Sequence, residues 1–317
     1  MAEPPLVTII IAAYNAQDTI LRALRSASAQ TVPVEIIVVD DCSGDDTFRI
    51  AEGYAATDPR VQIHRRSQNT GPAGARNLGL VRSQAPWVTV LDADDHMAPD
   101  RIERLLAQSE GADFLADDLY RVTDADLYAT DNRLWSAQPI GRQEIGFAAF
   151  VAANRRGRHG VRGELGFVKP LMRRAFLAEH GLAYDPDLRL AEDYLLYARA
   201  IAVGGRFVLV DPCGYFAVCR PDSLSSQHST KDLGAIVAAD RALATHPGLN
   251  RADRAAVRQH RIDTHMEWAW RGMIDAVRNR EFGAIPRLFA APPAVGASLV
   301  GKLLHQAWLR GVRALRR

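Results

Sequence analysis

Residues 87–95 read Trp-Val-Thr-Val-Leu-Asp-Ala-Asp-Asp, a strand signal followed directly by three carboxylates. A helix is expected to begin near Pro99. Carboxylates at the end of a buried strand are costly unless a cation neutralises them. Mg²⁺ and Mn²⁺ take oxygen ligands, and Mg²⁺ commonly shares the phosphates of a substrate. The run therefore predicts a metal-bridged phosphate site that a nucleotide would occupy. Helix capping or a surface turn is the structural alternative, but neither needs three carboxylates there.

Strand and helix signals alternate through the first part of the chain. Strands are predicted at 7–12, 35–40, 61–63 and 87–91, and helices at 18–30, 47–56 and 72–83. Near-continuous apolar strands separated by helices predict an α/β fold with a doubly wound, mostly parallel sheet covered by helices on both faces. Ligands bind such sheets beyond the carboxyl ends of the strands. Tyr14, Asp40, Asp41 and Asp92 follow strand ends, so we expect them on one edge.

The rest of the chain has a less regular pattern. Between about 115 and 220 we predict helices at 167–180 and 192–203, and from about Ser229 the chain is expected to be largely helical.

Composition is ordinary for a globular protein, with 48% hydrophobic and 24% charged residues among 317. Three cysteines without a C-x-x-C pair predict a reducing compartment, the cytoplasm. No apolar run approaches the roughly 20 residues of a membrane-spanning helix. The first five residues lack the basic start of a secretory signal. We therefore expect a soluble or peripheral protein.

The last part of the chain is strongly basic. From Arg251 onward it carries thirteen Lys and Arg against five Asp and Glu, although the whole chain has a net charge of only +2. Residues 294–317 alternate apolar and basic side chains, as in an amphipathic helix that contacts a membrane surface. A terminal helix packed on the protein fits the pattern equally well. Nucleic acid is not an expected partner, because no known binding motif accompanies the charge.

Three further motifs each have a functional and a structural interpretation. Asp40-Asp41 could accept hydrogen bonds from a base or ribose, or cap the next helix. Residues 69–79 form a loop that enters a helix, whose free N–H groups suit an anion, or a tight turn. This loop is not G-x-G-x-x-G, so no dinucleotide cofactor is indicated. Glu192-Asp193 opens a helix and either complements its dipole or supplies a general base.

Taken in order, these segments resemble the family 2 glycosyltransferases of the GT-A fold. The matching pieces are 7–15, 38–43, 69–79, 91–95 and Glu192-Asp193. Residues 162–170, 190–194, 213–215 and 222–228 are similar, more narrowly, to bacterial exopolysaccharide glucosyltransferases of the succinoglycan type. We expect a GT-A domain over 1–228, with a nucleotide-binding half at 1–117 and an acceptor half at 118–228. A helical, basic region would follow at 229–317.

The resemblance implies a UDP-sugar donor and assigns residues to its nucleoside. Ala12 and Tyr14 would pack around the nucleoside, with the Tyr14 ring near the base. Asp41 would hold the uracil with Asp40 beside it. Arg76 would support the base or the diphosphate.

The resemblance also assigns residues to the metal and the diphosphate. Asp95 would ligate Mn²⁺ or Mg²⁺, and Asp94 would lie near the ribose or sugar and join the metal site. Asp92 would either ligate the metal or support a ligand. Arg220 and Ser223 match a loop that reaches the diphosphate in some members of the family.

One position departs from the family's pattern. Cys42 stands where the family commonly has glycine after the aspartate pair. We expect Cys42 to avoid positive φ, which a residue with a Cβ adopts unfavourably.

Asp193 matches the family's general base, and no nucleophile on the enzyme is apparent. This implies direct displacement with inversion, so that α-linked UDP-glucose would give a β-glucoside. The implied activity is metal-dependent transfer of a sugar, glucose by resemblance, to a lipid-linked oligosaccharide in exopolysaccharide synthesis. Two alternatives stay open: a non-catalytic module that binds nucleotide sugars, and a D-x-D phosphatase in which Asp92 attacks phosphorus.

Overall fold

The computed structural model describes residues 3–155, 164–220 and 228–315, with side chains up to residue 309. The chain divides into two compact units, Met1–Ser223 and Leu224–Arg317.

The described part of the first unit contains eleven strands and seven α-helices. The strands are β1 (Val7–Ala13), β2 (Val34–Asp40), β3 (Val61–Arg65), β4 (Trp87–Val90), β5 (His96–Met97), β6 (Phe114–Asp117), β7 (Tyr120–Val122), β8 (Gln143–Glu144), β9 (Leu171–Arg173), β10 (Phe207–Val210) and β11 (Tyr215–Val218). The helices are α1 (Ile20–Ser28), α2 (Thr47–Ala55), α3 (Gly71–Arg82), α4 (Arg101–Leu106), α5 (Phe147–Ala153), α6 (Arg174–Glu179) and α7 (Glu192–Ala202).

Within the described residues, the main sheet has the strand order β3-β2-β1-β4-β9-β6-β10-β8. Strands β1 to β4 pair in parallel, β9 is antiparallel to both β4 and β6, and β8 is antiparallel to β10. Nearly every residue of β1, β2 and β4 is buried, as in a sheet that is covered on both faces. The predicted α/β fold with a mostly parallel sheet is confirmed.

Strands β1, β2 and β4 end at one edge of this sheet. Ala13 pairs with Asp40 at the ends of β1 and β2. The N–H of Leu91 donates to the carbonyl of Ile10 at 2.9 Å, so β4 leaves the sheet beside them. The residues that follow these three strands therefore share an edge, as the alternation of strands and helices predicted.

The helix predicted at 167–180 is wrong over most of its length. The chain instead forms a short 3-10 helix at Leu165–Phe167, the strand β9 and the helix α6. Pro170 disfavours helix in the residue before it. The two buried apolar residues of β9, Leu171 and Met172, fill the space between β4 and β6. Sheet pairing outweighs the local helical pattern here.

The expectation that Cys42 avoids positive φ is also wrong. Cys42 has φ of 67°, in the left-handed region, which costs an L residue roughly 1–2 kcal/mol. Its neighbours hold the turn, because the Asp40 carboxylate accepts the N–H of Ser43 and Asp41 is tied to the start of α3.

A second, smaller sheet lies beside the acidic residues 92–95, which follow β4. Among the described residues it has the order β5-β11-β7, with β11 parallel to β7 and antiparallel to β5. The rings of His96 and Tyr120 stack on Phe216 at centroid distances of 4.9 and 5.4 Å. This packing fixes β11, which carries Tyr215.

The second unit is helical. Its described helices are α8 (Thr230–Leu243), α9 (Arg251–Arg278), α10 (Ile285–Phe289) and α11 (Pro293–Leu315). Capping boxes start α8 at Ser229 and α9 at Asn250. One core cluster of this unit consists of Ala269, Met273, Leu288, Val295 and Leu299. No helix in the described ranges has the length and apolar character required to cross a bilayer.

Candidate active site

The first and last aspartates of the Asp92–Asp95 run are joined through one tyrosine. The Tyr215 hydroxyl donates to the Asp95 carboxylate at 2.8 Å and accepts the N–H of Asp92 at 3.2 Å. Asp95 also accepts the N–H of Val218 at 2.8 Å. Strand β11 thus fixes the loop that follows β4.

Asp92 and Asp193 face each other through two shared cations. Arg76 donates to the Oδ1 atoms of Asp92 and Asp193 at 2.8 and 2.9 Å. The Lys169 Nζ atom lies 3.1 and 2.7 Å from the Oδ2 atoms of the same two aspartates. Each carboxylate is therefore held at both oxygens, once by a guanidinium and once by an ammonium.

Glu192 is the third acid around Arg76. Its Oε1 accepts from Arg76 Nη1 at 2.6 Å. The preceding residue, Ala191, has φ of 63°, an unfavourable conformation for a residue with a Cβ. This turn starts α7 so that both of its first two side chains, Glu192 and Asp193, are buried toward Arg76.

Burial and the two cations have opposing effects on Asp92. Burial favours the neutral acid, but Lys169 and Arg76 outweigh it and lower the pKa of Asp92 to about 2. Burial likewise opposes the charge on Lys169, and Asp193 and Asp92 reverse that effect and raise its pKa. Asp92 and Lys169 are therefore both charged at neutral pH.

Asp94 and Asp95 have the opposite balance. Burial raises the pKa of Asp94, and the nearby charge of Asp92 raises it further. Burial, followed by the charges of Asp94 and Asp92, raises the pKa of Asp95 well above its usual value. For these two carboxylates, burial and neighbouring negative charge outweigh the groups that favour ionisation, so a bound cation would stabilise their charged forms.

The three aspartates do not share one ligand position. No group of three His, Cys, Asp or Glu side chains suited to a metal ion occurs in the part of the chain that the structure describes. The sequence left open whether Asp92 ligates the metal or supports a ligand, and in the structure both of its oxygens contact cations, Arg76 and Lys169. The oxygen donors and raised pKa values of Asp94 and Asp95 fit a hard divalent cation that shares phosphate oxygens.

A more open group of charges surrounds Asp94. Arg22 Nη2 donates to the Asp94 carbonyl at 2.6 Å. Arg22 and Arg220 lie 3.6 and 3.7 Å from the carboxylate of Asp124, which is 63% exposed. The Nε atoms of both arginines lack a hydrogen-bond partner among the described residues. Ser223, predicted to act with Arg220, lies outside the described residues.

The residues predicted to bind the nucleoside lie at the ends of β1 and β2. Tyr14 is 50% exposed there, and Ala12 packs against the cluster that contains Ile37 and Val39. Asp40 is fully buried and lies 3.2 Å from Arg65.

Asp41 and Arg76 have partners within the chain that the sequence did not indicate. The Asp41 carboxylate accepts the N–H groups of Thr70 and Gly71 at 3.0 and 2.8 Å. These two N–H groups at the start of α3 are therefore bonded within the chain, where the sequence left an anion site and a tight turn both open. Arg76 lies within the acidic cluster, bonded to three carboxylates.

Three residues of the site received no role from sequence reasoning. Lys169, Tyr215 and Arg22 contact the aspartates directly. A lysine within Phe-Val-Lys-Pro-Leu-Met is a weak signal of a buried charge that needs acidic partners. Tyr215 and Arg22 follow ordinary strand and helix patterns, which give no such signal.

The cluster can both bind an anion and accept a proton. Arg22 and Arg220, together with a cation on Asp94 and Asp95, suit the binding of a diphosphate. The oriented carboxylate of Asp193 suits a general base. The phosphatase alternative fits less well. In that fold the D-x-D normally ends the first strand, whereas three strands precede β4 in this chain.

Comparison with known proteins identifies the family. The model of glycosyl transferase family 2 matches residues 8–176. The succinoglycan biosynthesis protein ExoU of Rhizobium meliloti (strain 1021) is 41% identical over 96% of this chain and 88% of its own length. ExoO of the same organism is 39% identical over 75% of this chain and 68% of its own length.

The fold also matches a solved structure. S. aureus TarS 1–349 in complex with UDP-GlcNAc superposes with a TM-score of 0.66 at 17% identity, covering 96% of this chain and 92% of that one. This agrees with the GT-A fold that the sequence implied. The family match over residues 8–176 and the 41% identity to ExoU show that the chain belongs to glycosyl transferase family 2.

Proposed function

We propose that this glycosyltransferase moves a hexose, glucose by resemblance, from a UDP-sugar to a lipid-linked oligosaccharide during exopolysaccharide synthesis. The observation that carries the proposal is the pairing of Asp92 and Asp193 through Arg76 and Lys169. This pairing brings an aspartate of the D-x-D run and a candidate base to one centre.

The donor would bind along the edge where β1, β2 and β4 end. The exposed ring of Tyr14 would stack near the base, with Ala12, Asp40 and Asp41 around the nucleoside. The solved TarS complex with UDP-GlcNAc supports a UDP-sugar as the type of donor. Asp41 would keep its bonds to α3 and contact the uracil with its remaining lone pairs.

The diphosphate would lie between Asp94 and the two arginines, Arg22 and Arg220. Asp95 and Asp94 would hold Mn²⁺ or Mg²⁺, which would supply Lewis-acid stabilisation of the leaving diphosphate. Arg220 would add positive charge from the opposite side, and Ser223 would act with it. Arg76 would act indirectly, by holding Asp92.

Asp193 would act as the general base. It would take the proton of the acceptor hydroxyl as the hydroxyl oxygen attacks the anomeric carbon. The bond from that carbon to the diphosphate oxygen would break, and UDP would leave with the electron pair. A single displacement inverts the anomeric centre, so α-linked UDP-glucose would give a β-glucoside. An α-linked product in the NMR spectrum would contradict this step.

The second unit offers a surface for a lipid-linked acceptor at the inner face of the cytoplasmic membrane. Leu304 and Trp308 of α11 are exposed, the latter by 62%, on a strongly basic part of the chain. Exposed apolar side chains on a helix whose sequence is rich in basic residues suit an anionic lipid surface. Replacing both residues by Ser should reduce flotation with anionic vesicles, whereas Val81→Ser, an exposed apolar residue of the first unit, should not. Equal flotation of all three proteins would contradict membrane contact.

A donor panel tests the proposed activity. Purified full-length protein would be incubated with UDP-, GDP- and dTDP-sugars and Mn²⁺ or Mg²⁺, with a lipid-linked oligosaccharide extract as acceptor. We expect nucleotide release from UDP-glucose that requires the metal and increases with the extract. Binding of UDP-sugars without turnover would favour the non-catalytic alternative.

A further inference from the structure

Lys169 is the buried cation whose contribution to the reaction is still unexplained. We infer that it is a positioning residue, which fixes the plane of the Asp193 carboxylate relative to Asp92. The inference rests on the proposed role of Asp193 as the base. It adds a residue to the site whose effect on the reaction passes through Asp193.

The contacts of the ammonium group are specific for this role. Lys169 is 4% exposed, and its Nζ atom lies 2.7 Å from Asp193 Oδ2 and 3.1 Å from Asp92 Oδ2. Arg76 bonds the other oxygen, Oδ1, of each aspartate. A carboxylate that is held at one oxygen can still turn about its terminal torsion, whereas one held at both oxygens cannot. Lys169 therefore supplies the second constraint on Asp193.

The backbone of Lys169 is fixed as firmly as its ammonium group. Its carbonyl accepts from Arg101 Nη2 at 2.6 Å, and Arg101 is fully buried in an ion pair with Asp117. The neighbouring carbonyl of Val168 accepts from the hydroxyl of Tyr197 at 3.3 Å. The side chain therefore extends toward Asp193 from a rigid base.

Arg76 cannot replace Lys169 in this task. Its Nη1 group is shared between Asp193 and Glu192. If Lys169 lost its charge, three buried acids would share one guanidinium, and Asp193 would be free to turn. A displacement of about 1 Å at a reacting group can lower a rate by about 10²-fold. Lys169 should therefore affect turnover more than donor binding.

The test compares Lys169→Met with Lys231→Met, which makes the same change at an exposed lysine. The readout is UDP release from UDP-glucose with Mn²⁺ and the lipid extract. We expect kcat of Lys169→Met to fall by about 30-fold or more while KM for UDP-glucose stays within about threefold. Lys231→Met should match the wild type. Lys169→Arg should regain part of the lost kcat, because a guanidinium can also bridge two carboxylates.

A double-mutant cycle separates positioning from a general loss of structure. If Lys169 acts through Asp193, adding Lys169→Met to Asp193→Asn should slow the enzyme no further. Losses that multiply in the double variant would overturn the inference. So would a parallel rise in KM that accounts for the loss of kcat/KM.

Two further results keep the outcome unambiguous. If Lys169→Met does not fold, Lys169→Gln takes its place, because it is polar but neutral and its terminal nitrogen, one bond closer to the backbone, does not reach both aspartates. A kcat of Lys169→Gln within about threefold of the wild type would overturn the inference. Full activity of Asp193→Asn would refute the base itself, whereas a slow Asp193→Asn with normal Lys169 variants would refute only the positioning role.

Discussion

The two ends of the acidic cluster differ in how their charge is balanced. Asp92 and Asp193 each contact two cations, and the pKa of Asp92 is lowered to about 2 despite its burial. For Asp94 and Asp95, burial and the neighbouring carboxylates outweigh the groups that favour ionisation, and their pKa values are raised. Cations of the chain itself therefore neutralise the end formed by Asp92 and Asp193, whereas an added cation would stabilise the end formed by Asp94 and Asp95.

The largest expected effect is a loss of stability when Arg76, which holds Asp92 and Asp193, is replaced. Arg76→Met would leave the buried Glu192 and Asp193 and the partly exposed Asp92 with Lys169 as their main counter-charge, and removing one partner of a buried ion pair costs about 3–5 kcal/mol. Urea unfolding should show a loss of this size. Arg82→Met, on the exposed side of the same helix, is the control. Equal stability of the two variants would mean that the cations do not hold the acids in place.

The next effect is on turnover. Asp193→Asn keeps the shape of the side chain but removes its proton affinity, so kcat should fall by at least about 10²-fold. Calorimetry should show UDP binding as in the wild type. Asp187→Asn, an exposed position just before α7, should keep full activity. A rate near that of the wild type would exclude Asp193 as the base.

A smaller effect, on metal-dependent binding of UDP, is expected at Asp94 and Asp95. Mn²⁺ should increase the affinity of the wild type for UDP. Asp95→Ala should make that increase smaller by at least about tenfold, because a carboxylate that favours a cation is lost. Titrations with and without Mn²⁺ measure that gain, and Asp100→Ala, at an exposed neighbour, should leave it intact. An unchanged gain in Asp95→Ala would place the cation elsewhere.

The smallest effect is a dependence of stability on pH. The pKa of Asp94 is higher in the folded protein than in the unfolded chain, so its ionisation destabilises the fold as pH rises above about 4. With EDTA present, Asp94→Asn should be more stable than the wild type at pH 7. Each 1 kcal/mol of added stability should raise Tm by about 2–4 °C. The difference should vanish below about pH 3, where Asp94 is neutral in both states. A wild-type advantage at pH 7 would contradict the raised pKa.

The first half of the fold was predictable because its signals are local. The run 34–40 is buried throughout, and its continuous apolar character predicted a covered parallel strand. The position of Asp92 after β4 followed from the same kind of reasoning. The general rule that ligands bind wound sheets beyond the carboxyl ends of their strands was then enough to place the residues that follow the strands on one edge.

The second half of the site was not predictable in the same way. Arg76 and Asp193 are 117 residues apart, and no local pattern states that they will pair. Strand β9 forms through pairing with β4 and β6, which a helical pattern at 167–180 conceals. Cys42 adopts positive φ because distant partners hold the turn. These features depend on contacts that form only in the folded chain.

The placement of Lys169 before β9 has a consequence for hybrid enzymes. Lys169 lies in the segment before β9 and Asp193 in α7, whereas Arg76 belongs to α3, much earlier in the chain. A recombination breakpoint between Lys169 and Asp193 would join a lysine and an aspartate from different parents. A breakpoint upstream of Lys169 would transfer them as a unit. Chimeras that exchange acceptor preference should therefore be joined before residue 164.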